Sequence, residues 1–98
     1  VALVSVSQNG RQEILRADAV LVATGRRPNI EGLNLDKAGV DLTDRGAIKT
    51  DEGLRTTASH IWAMGDVVGG LQFTYISLDD SRIVKSQVAG RGTNARPE

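Results

Sequence analysis

Ile61-Trp62-Ala63-Met64-Gly65-Asp66-Val67-Val68-Gly69-Gly70 is the stretch that decides the fold. Its first four residues are a short apolar run, bounded by Ser59-His60 and by Gly65-Asp66. A run this short, without polar alternation, predicts a central parallel strand buried on both faces. Gly65 permits a sharp turn at its end, and Val67 to Gly70 form a loop. From Phe73 to about Val88, the residues Phe73, Ile76, Ile83, Val84 and Val88 fall on one side at helical spacing. Asp80 and Gln87 interrupt that side, and Gly90, Arg91 and Gly92 end the helix. Ligands of open α/β sheets bind at the carboxyl ends of strands, where Asp66 stands. The free N–H groups at a helix start attract an anion or an electron-rich oxygen, with ~0.3–1 kcal/mol from the dipole. Together they would grip a polyol: Asp66 accepts from a hydroxyl, and the helix start donates to a carbonyl. An Asp at a strand end is also a common turn cap, and its position alone does not separate the two roles. Trp62, Phe73 and Tyr75, the chain's only aromatics, crowd around Gly65-Asp66 and favour a ligand.

Upstream, Val1 to Ser7 is β-branched and apolar, with Ala2, Val4 and Val6 on one face. Asn9-Gly10 accepts the positive φ angles of a type I′ turn, and Gln12 to Leu15 return as a second strand. Residues 1–16 therefore predict a β-hairpin. Ala19-Val20-Leu21-Val22-Ala23 is a continuous apolar run and predicts another strand buried on both faces. It ends in Thr24-Gly25-Arg26-Arg27-Pro28-Asn29, where Pro28 holds Arg27 extended and Gly25 allows a sharp turn. Residues 30–60 read as turns between short extended pieces, with a short strand at Ala47 to Thr50 and with Leu35 and Val40 anchoring the loop on a core. Residues 93–98 read as a frayed tail or linker.

The 98 residues suffice for one small core, since folding at this size buries roughly 64% of the unfolded surface. Twelve basic residues balance twelve acidic ones, which argues against nucleic acid or an anionic membrane as partner. No cysteine is present, so disulfides, thiolate metal sites, iron–sulfur clusters and thiol catalysis have no residues here. His60 is the single histidine. No apolar run approaches the ~20 residues of a membrane span, and no signal peptide is recognisable, so a cytoplasmic location is expected. The chain starts at Val1 in mid-strand, without Met, which points to a piece of a longer protein.

Thr56, four residues, and then Ile61-Trp62-Ala63-Met64-Gly65-Asp66-Val67 resembles the second flavin-binding motif of the pyridine nucleotide-disulfide oxidoreductases. Ala23-Thr24-Gly25-Arg26-Arg27-Pro28-Asn29 is similar to the segment where such enzymes leave the NAD(P) domain. Both motifs stand in the family's order, about 40 residues apart. Gln72-Phe73-Thr74-Tyr75-Ile76-Ser77 is similar to the helix start of the mercuric-reductase branch. Ile61 through Asp80 looks most like the reactive-chlorine-resistance flavin reductases of enteric bacteria.

The resemblance implies an α/β fold, a fragment of a Rossmann-like FAD/NAD(P)-binding domain pair with an N-terminal hairpin, buried strands and a C-terminal helix. It places the end of the NAD(P)-binding domain at 1–25, a connecting segment at 26–60 and the C-terminal part of the FAD-binding domain at 61–98. It implies FAD as cofactor and NAD(P)H as co-substrate of the parent. Gly65 and Asp66 would meet a ribityl hydroxyl, the amides of Phe73 and Thr74 the flavin pyrimidine, and Gly25 and Arg26 the route to the nicotinamide site. The family's pyrophosphate fingerprints, redox cysteine pair and C-terminal dimer domain have no counterpart in these residues. The chain alone is therefore expected to be inactive, with the remainder of the parent enzyme and a second copy as its partners. The alternative is a small cofactor-free α/β module that self-associates or binds a partner through exposed sheet edges.

Other candidates point to structure. Asp79 and Asp80 project about 100° apart on a helix, which argues against a paired acid and base. His60 has no visible catalytic partner, and Arg26-Arg27 fits a solvated turn better than a phosphate site. Trp62, Tyr75 and Met64 read as core residues.

Overall fold

The computed structural model describes residues 1–91 together with Ala95 and Arg96. Gly92, expected at the helix end, and most of the expected tail lie outside the described residues.

β1 (Ala2–Gln8) pairs antiparallel with β2 (Arg11–Ala17) in the register Gln8↔Arg11 to Ala2↔Ala17. Asn9 and Gly10 take φ 52° and 76°, the two positive values that a type I′ turn demands. Ala2, Val4 and Val6 are half-buried while Leu3, Ser5 and Ser7 face solvent, so the alternation sets the faces as read. The return strand runs two residues further than expected, to Ala17.

The apolar run Ala19 to Ala23 does not form the expected buried strand. It has no regular structure and no strand partner among the described residues, with Leu21 89% exposed. A two-faced strand needs a neighbour on each edge and a layer on each face, and the described residues supply neither. Ile61 to Met64 also departs from expectation. It carries one antiparallel bridge, Arg55↔Trp62, and Ala63 N–H donates to the Leu54 carbonyl at 3.0 Å. Its partner is the preceding turn, so it is not a parallel strand among the described residues. Ala47 to Thr50 likewise makes only isolated bridges, Leu42↔Ile48 and Thr50↔Thr56.

The core is drawn from residues 30–68. Val40, Ile48, Ala58 and Ala63 are buried together, and Ile30, Leu35, Ile61, Val67 and Val68 pack around them. A compact chain of about 100 residues has a radius of gyration near 13 Å. Here it is 18.9 Å, with extents of 58 × 30 × 23 Å. The fold is thus elongated rather than wrapped round one centre. A 3-10 turn (Gly65–Val68) leads to the helix α1 (Thr74–Val88), which packs against it. No helix among the described residues is long and apolar enough to cross a membrane.

The helix spans the expected residues, and its inward stripe keeps Ile76, Ile83 and Val84 of the expected one but not Phe73 and Val88. Asp80 and Ile83 are buried, with Ile76, Ser77, Val84 and Gln87 half-buried beside them. Phe73 and Val88 are exposed. Met64 and Tyr75, read as core, are 49% and 63% exposed. Asp80, expected to interrupt the apolar face, is buried within it, and Gln87 is half-buried.

Candidate functional site

Thr56 begins the construction. Its hydroxyl lies 2.9 Å from the Ile61 carbonyl and 3.0 Å from that of Ala58, and it accepts from Ala58 N–H at 3.2 Å. Thr56 N–H donates to the Ile61 carbonyl as well. A buried threonine therefore closes the turn that aims residues 61–64, which accounts physically for its fixed spacing from Ile61. The Arg55 guanidinium lies 4.8 Å above the Trp62 ring and covers the same piece from outside.

Met64 is extended, and Gly65 then turns the chain with φ 77°. A Cβ on Gly65 would stand 3.3 Å from Ser77 Oγ, because the first turns of α1 lie against it. Glycine is needed here for its left-handed φ and for the close approach. The turn is anchored to the core where Val67 accepts from Ile48 N–H at 2.7 Å. Asp66 sits in its first turn, exposed, and its carboxylate makes no hydrogen bond or ion pair among the described residues. Among the described residues it caps no N–H group.

Phe73 is the extended residue that starts α1, with no side-chain cap. Its carbonyl accepts from Ile76 and Ser77, and the N–H groups of Thr74 and Tyr75 have no acceptor among the described residues. The Phe73 and Tyr75 rings stack at 5.3 Å and 7°. The structure thus brings Gly65, Asp66, Phe73 and Thr74 onto one turn and the helix start beside it. An unengaged carboxylate and unengaged amide donors suit a ligand with hydroxyls and a carbonyl.

Gly25 and Arg26 are not joined to this group. Both are exposed in the segment after the hairpin, and no hydrogen bond or ion pair connects them to it. Arg27 pairs with Glu31 at 3.0 Å on the surface. His60 is exposed in a turn.

The family model described as "Pyridine nucleotide-disulphide oxidoreductase" matches residues 2–90. The chain belongs to that family. It is 56% identical over 78 residues to the probable pyridine nucleotide-disulfide oxidoreductase RclA of Escherichia coli, covering 80% of this chain and 18% of that one. It is 44% identical to a mercuric reductase of Staphylococcus aureus, over 87% of this chain and 16% of the relative. With a dihydrolipoyl dehydrogenase of Mycobacterium tuberculosis it shares 44% identity, over 92% of this chain and 19% of the relative. A solved structure, the Cu(II) complex of HOCl-induced flavoprotein disulfide reductase RclA from Escherichia coli, superposes with a TM-score of 0.76 at 48% identity. That match covers 95% of this chain and 21% of the other. The chain therefore spans about a fifth of the length of these relatives. The fold class, α/β and Rossmann-like in its relatives, and the family both agree with the sequence reading.

Sequence reasoning missed Asp80. It reads as an acid that interrupts the apolar side of the helix and has no acid–base role, yet it is 1% exposed and accepts from Gly65 N–H at 2.9 Å. The available signal was its place on the apolar side of α1, where a charge needs a partner.

Proposed function

We propose that these residues are the part of an FAD-dependent NAD(P)H oxidoreductase in which the nucleotide domain ends and the FAD domain resumes. Residues 1–25 belong to the first, 26–60 connect, and 61–98 hold the flavin. The observation that carries this is the Asp66 carboxylate, exposed and unengaged on a rigidly built turn beside a helix start with open N–H groups. The donor set fits FAD. Asp66 accepts from a ribityl hydroxyl, with Gly65 admitting the chain closely. The amides around Phe73 and Thr74 donate to the pyrimidine carbonyl, and the α1 dipole favours negative charge there by ~0.3–1 kcal/mol. FAD held there would supply two-electron redox chemistry between a nicotinamide and an electron acceptor. Gly25 and Arg26 lie toward the nicotinamide route in this reading. The chain has no cysteine, so it contributes positioning and no redox residue of its own.

A hydrogen bond to an ionised acceptor contributes ~1.5–3 kcal/mol, or roughly a 10- to 150-fold change in affinity. Asp66→Ala in the full-length enzyme is expected to weaken FAD retention by about that factor, measured as flavin released per protein on dilution. Asp66→Asn, which keeps an acceptor oxygen, loses less. Asp51→Ala is the contrast. The Asp51 carboxylate is engaged by Gly53 N–H at 2.9 Å and Arg55 N–H at 3.0 Å, so its loss leaves flavin retention per folded molecule unchanged. Undiminished FAD retention in folded Asp66→Ala would sink the assignment.

A second reading, a self-associating module without cofactor, draws on the exposure of Leu21 (89%) and Val22 (78%). Flavin absorbance in the purified full-length protein separates the two.

A further inference from the structure

We propose that Asp80 is a positioning residue, holding the Gly65–Val68 turn so that Asp66 faces the flavin. This goes beyond the assignment of Asp66 and rests on it. The Asp80 carboxylate is buried two turns into α1, and its Oδ2 accepts from Gly65 N–H at 2.9 Å. Arg96 closes the other end. It donates from one terminal nitrogen to Asp80 Oδ2 at 3.2 Å and from the other to the Gly69 carbonyl at 3.3 Å. Its Nε lies 3.1 Å from Asp80 Oδ1, an ion-pair contact off the angle of a hydrogen bond, which leaves that oxygen without a hydrogen-bond donor. The Arg96 backbone N–H is tied to the Glu52 carbonyl at 3.0 Å, which fixes the arginine's base. The turn that carries Asp66 is therefore gripped just inside its start, at Gly65, and just past its end, at Gly69, by two side chains that also grip each other.

Stability alone does not call for this arrangement. A buried ion pair often gains little over well-packed apolar residues of the same volume, because desolvation cancels the attraction. It does fix direction. An N–H aimed into the protein at Gly65 leaves the next residue, Asp66, at the outer surface of the turn. Ser77, one turn before Asp80 on α1, meets the same glycine from the side. Two residues of one helix face thus set the position of Gly65, and the free carboxylate follows from it.

The test uses the full-length enzyme with Asp80→Ala and Asp80→Asn, each with and without Asp66→Ala. Two readouts are taken: amide hydrogen exchange over residues 61–70 in the flavin-free protein, and flavin release on dilution. Circular dichroism checks folding. Asp80→Ala is expected to speed exchange of the Gly65 amide and to weaken FAD retention about tenfold, and Asp80→Asn, which keeps an acceptor, about threefold. In the Asp66→Ala background both losses of FAD retention are expected to disappear, because there is no carboxylate left to position. Unchanged exchange at Gly65 in a folded Asp80 variant overturns the proposal. So does a flavin loss of equal size with and without Asp66, which marks general loosening. If Asp80→Ala does not accumulate as folded protein, Asp80→Asn decides by the same criteria. If exchange responds but Asp66→Ala releases no flavin, the flavin assignment falls while the grip on Gly65 stands.

Discussion

Gly65→Ala offers a direct measure of how closely α1 supports the turn. The substitution has two costs. Alanine at φ 77° occupies the left-handed region, at about 1–2 kcal/mol for an L residue. Its Cβ also lies 3.3 Å from Ser77 Oγ and 3.8 Å from Ser77 Cβ. The second distance is ordinary contact and the first is not. Ser77 can relieve it only by turning its side chain, and a helix leaves few rotamers for that, at about 0.5–1.5 kcal/mol if it is driven off a minimum.

Gly39 separates the two costs. It has φ 75°, almost the same conformation, and an added Cβ there meets nothing within 4 Å. Gly39→Ala therefore carries the backbone cost alone, offset equally by the stiffer unfolded chain. Gly65→Ala should be worse than Gly39→Ala by about 0.5–1.5 kcal/mol, which is the close-contact part. Ser77→Ala removes the offending oxygen, so the pair Gly65→Ala/Ser77→Ala should recover that difference and no more. Urea unfolding of these proteins, followed by circular dichroism, gives the four free energies of the cycle at positions 65 and 77. Equal losses at Gly65 and Gly39, or a Gly65 loss indifferent to Ser77, would show that α1 does not press on the turn.

Thr56→Val keeps the shape and removes the hydroxyl that closes the turn before Ile61; about 1–3 kcal/mol of stability is expected to be lost in denaturant unfolding, with Ala58 N–H left without its acceptor. The 98 residues alone are expected to show no NAD(P)H consumption with added FAD and dye, and steady turnover would contradict the reading of them as one part of an enzyme. The same chain is expected to self-associate through the exposed run around Leu21 and the outer edges of the hairpin, and light scattering that reports a monomer at high concentration would refute that.

Much of this structure was legible because it is local. Asn9-Gly10 sets both positive φ angles of the hairpin by itself, and the alternation of Ala2, Val4 and Val6 then fixes the faces. The helix was legible from its spacing. Strand partners were not. Ala19 to Ala23 and Ile61 to Met64 have the same apolar character, yet one is unpaired and the other pairs with the turn before it. Nothing in a short apolar run says which edge it meets. The turn at Asp51 to Arg55 shows the difficulty at one residue. Gly53 is the natural choice for a left-handed φ, but Leu54 takes it, at 63°, while fully buried. The reason is non-local: a Cβ on Gly53 would stand 2.6 Å from Gln87 Nε2 on α1. The glycine makes room for the helix, and burial of the leucine holds the strained backbone in place.

The acids carry the same lesson to the site. By sequence, Asp51 lies in the connecting stretch, Asp66 at a strand end and Asp80 on the helix, and none of these positions says whether the carboxylate is engaged. The structure separates them by engagement. Asp51 is occupied by the two N–H groups of its own turn, and Asp80 is buried on Gly65 and Arg96. Asp66, framed by Gly65 and Gly69, is exposed, and its carboxylate has no partner among the described residues. Other exposed acids such as Asp18, Asp36 and Asp44 are unengaged among the described residues as well, so what distinguishes Asp66 is the turn that holds it. A carboxylate held on a fixed turn, beside helix amides that are equally unengaged, has its hydrogen-bonding capacity directed outward. The framework that holds it is itself bonded through Thr56, Ile48, Asp80 and Arg96, and that framework is what supports the proposed flavin site.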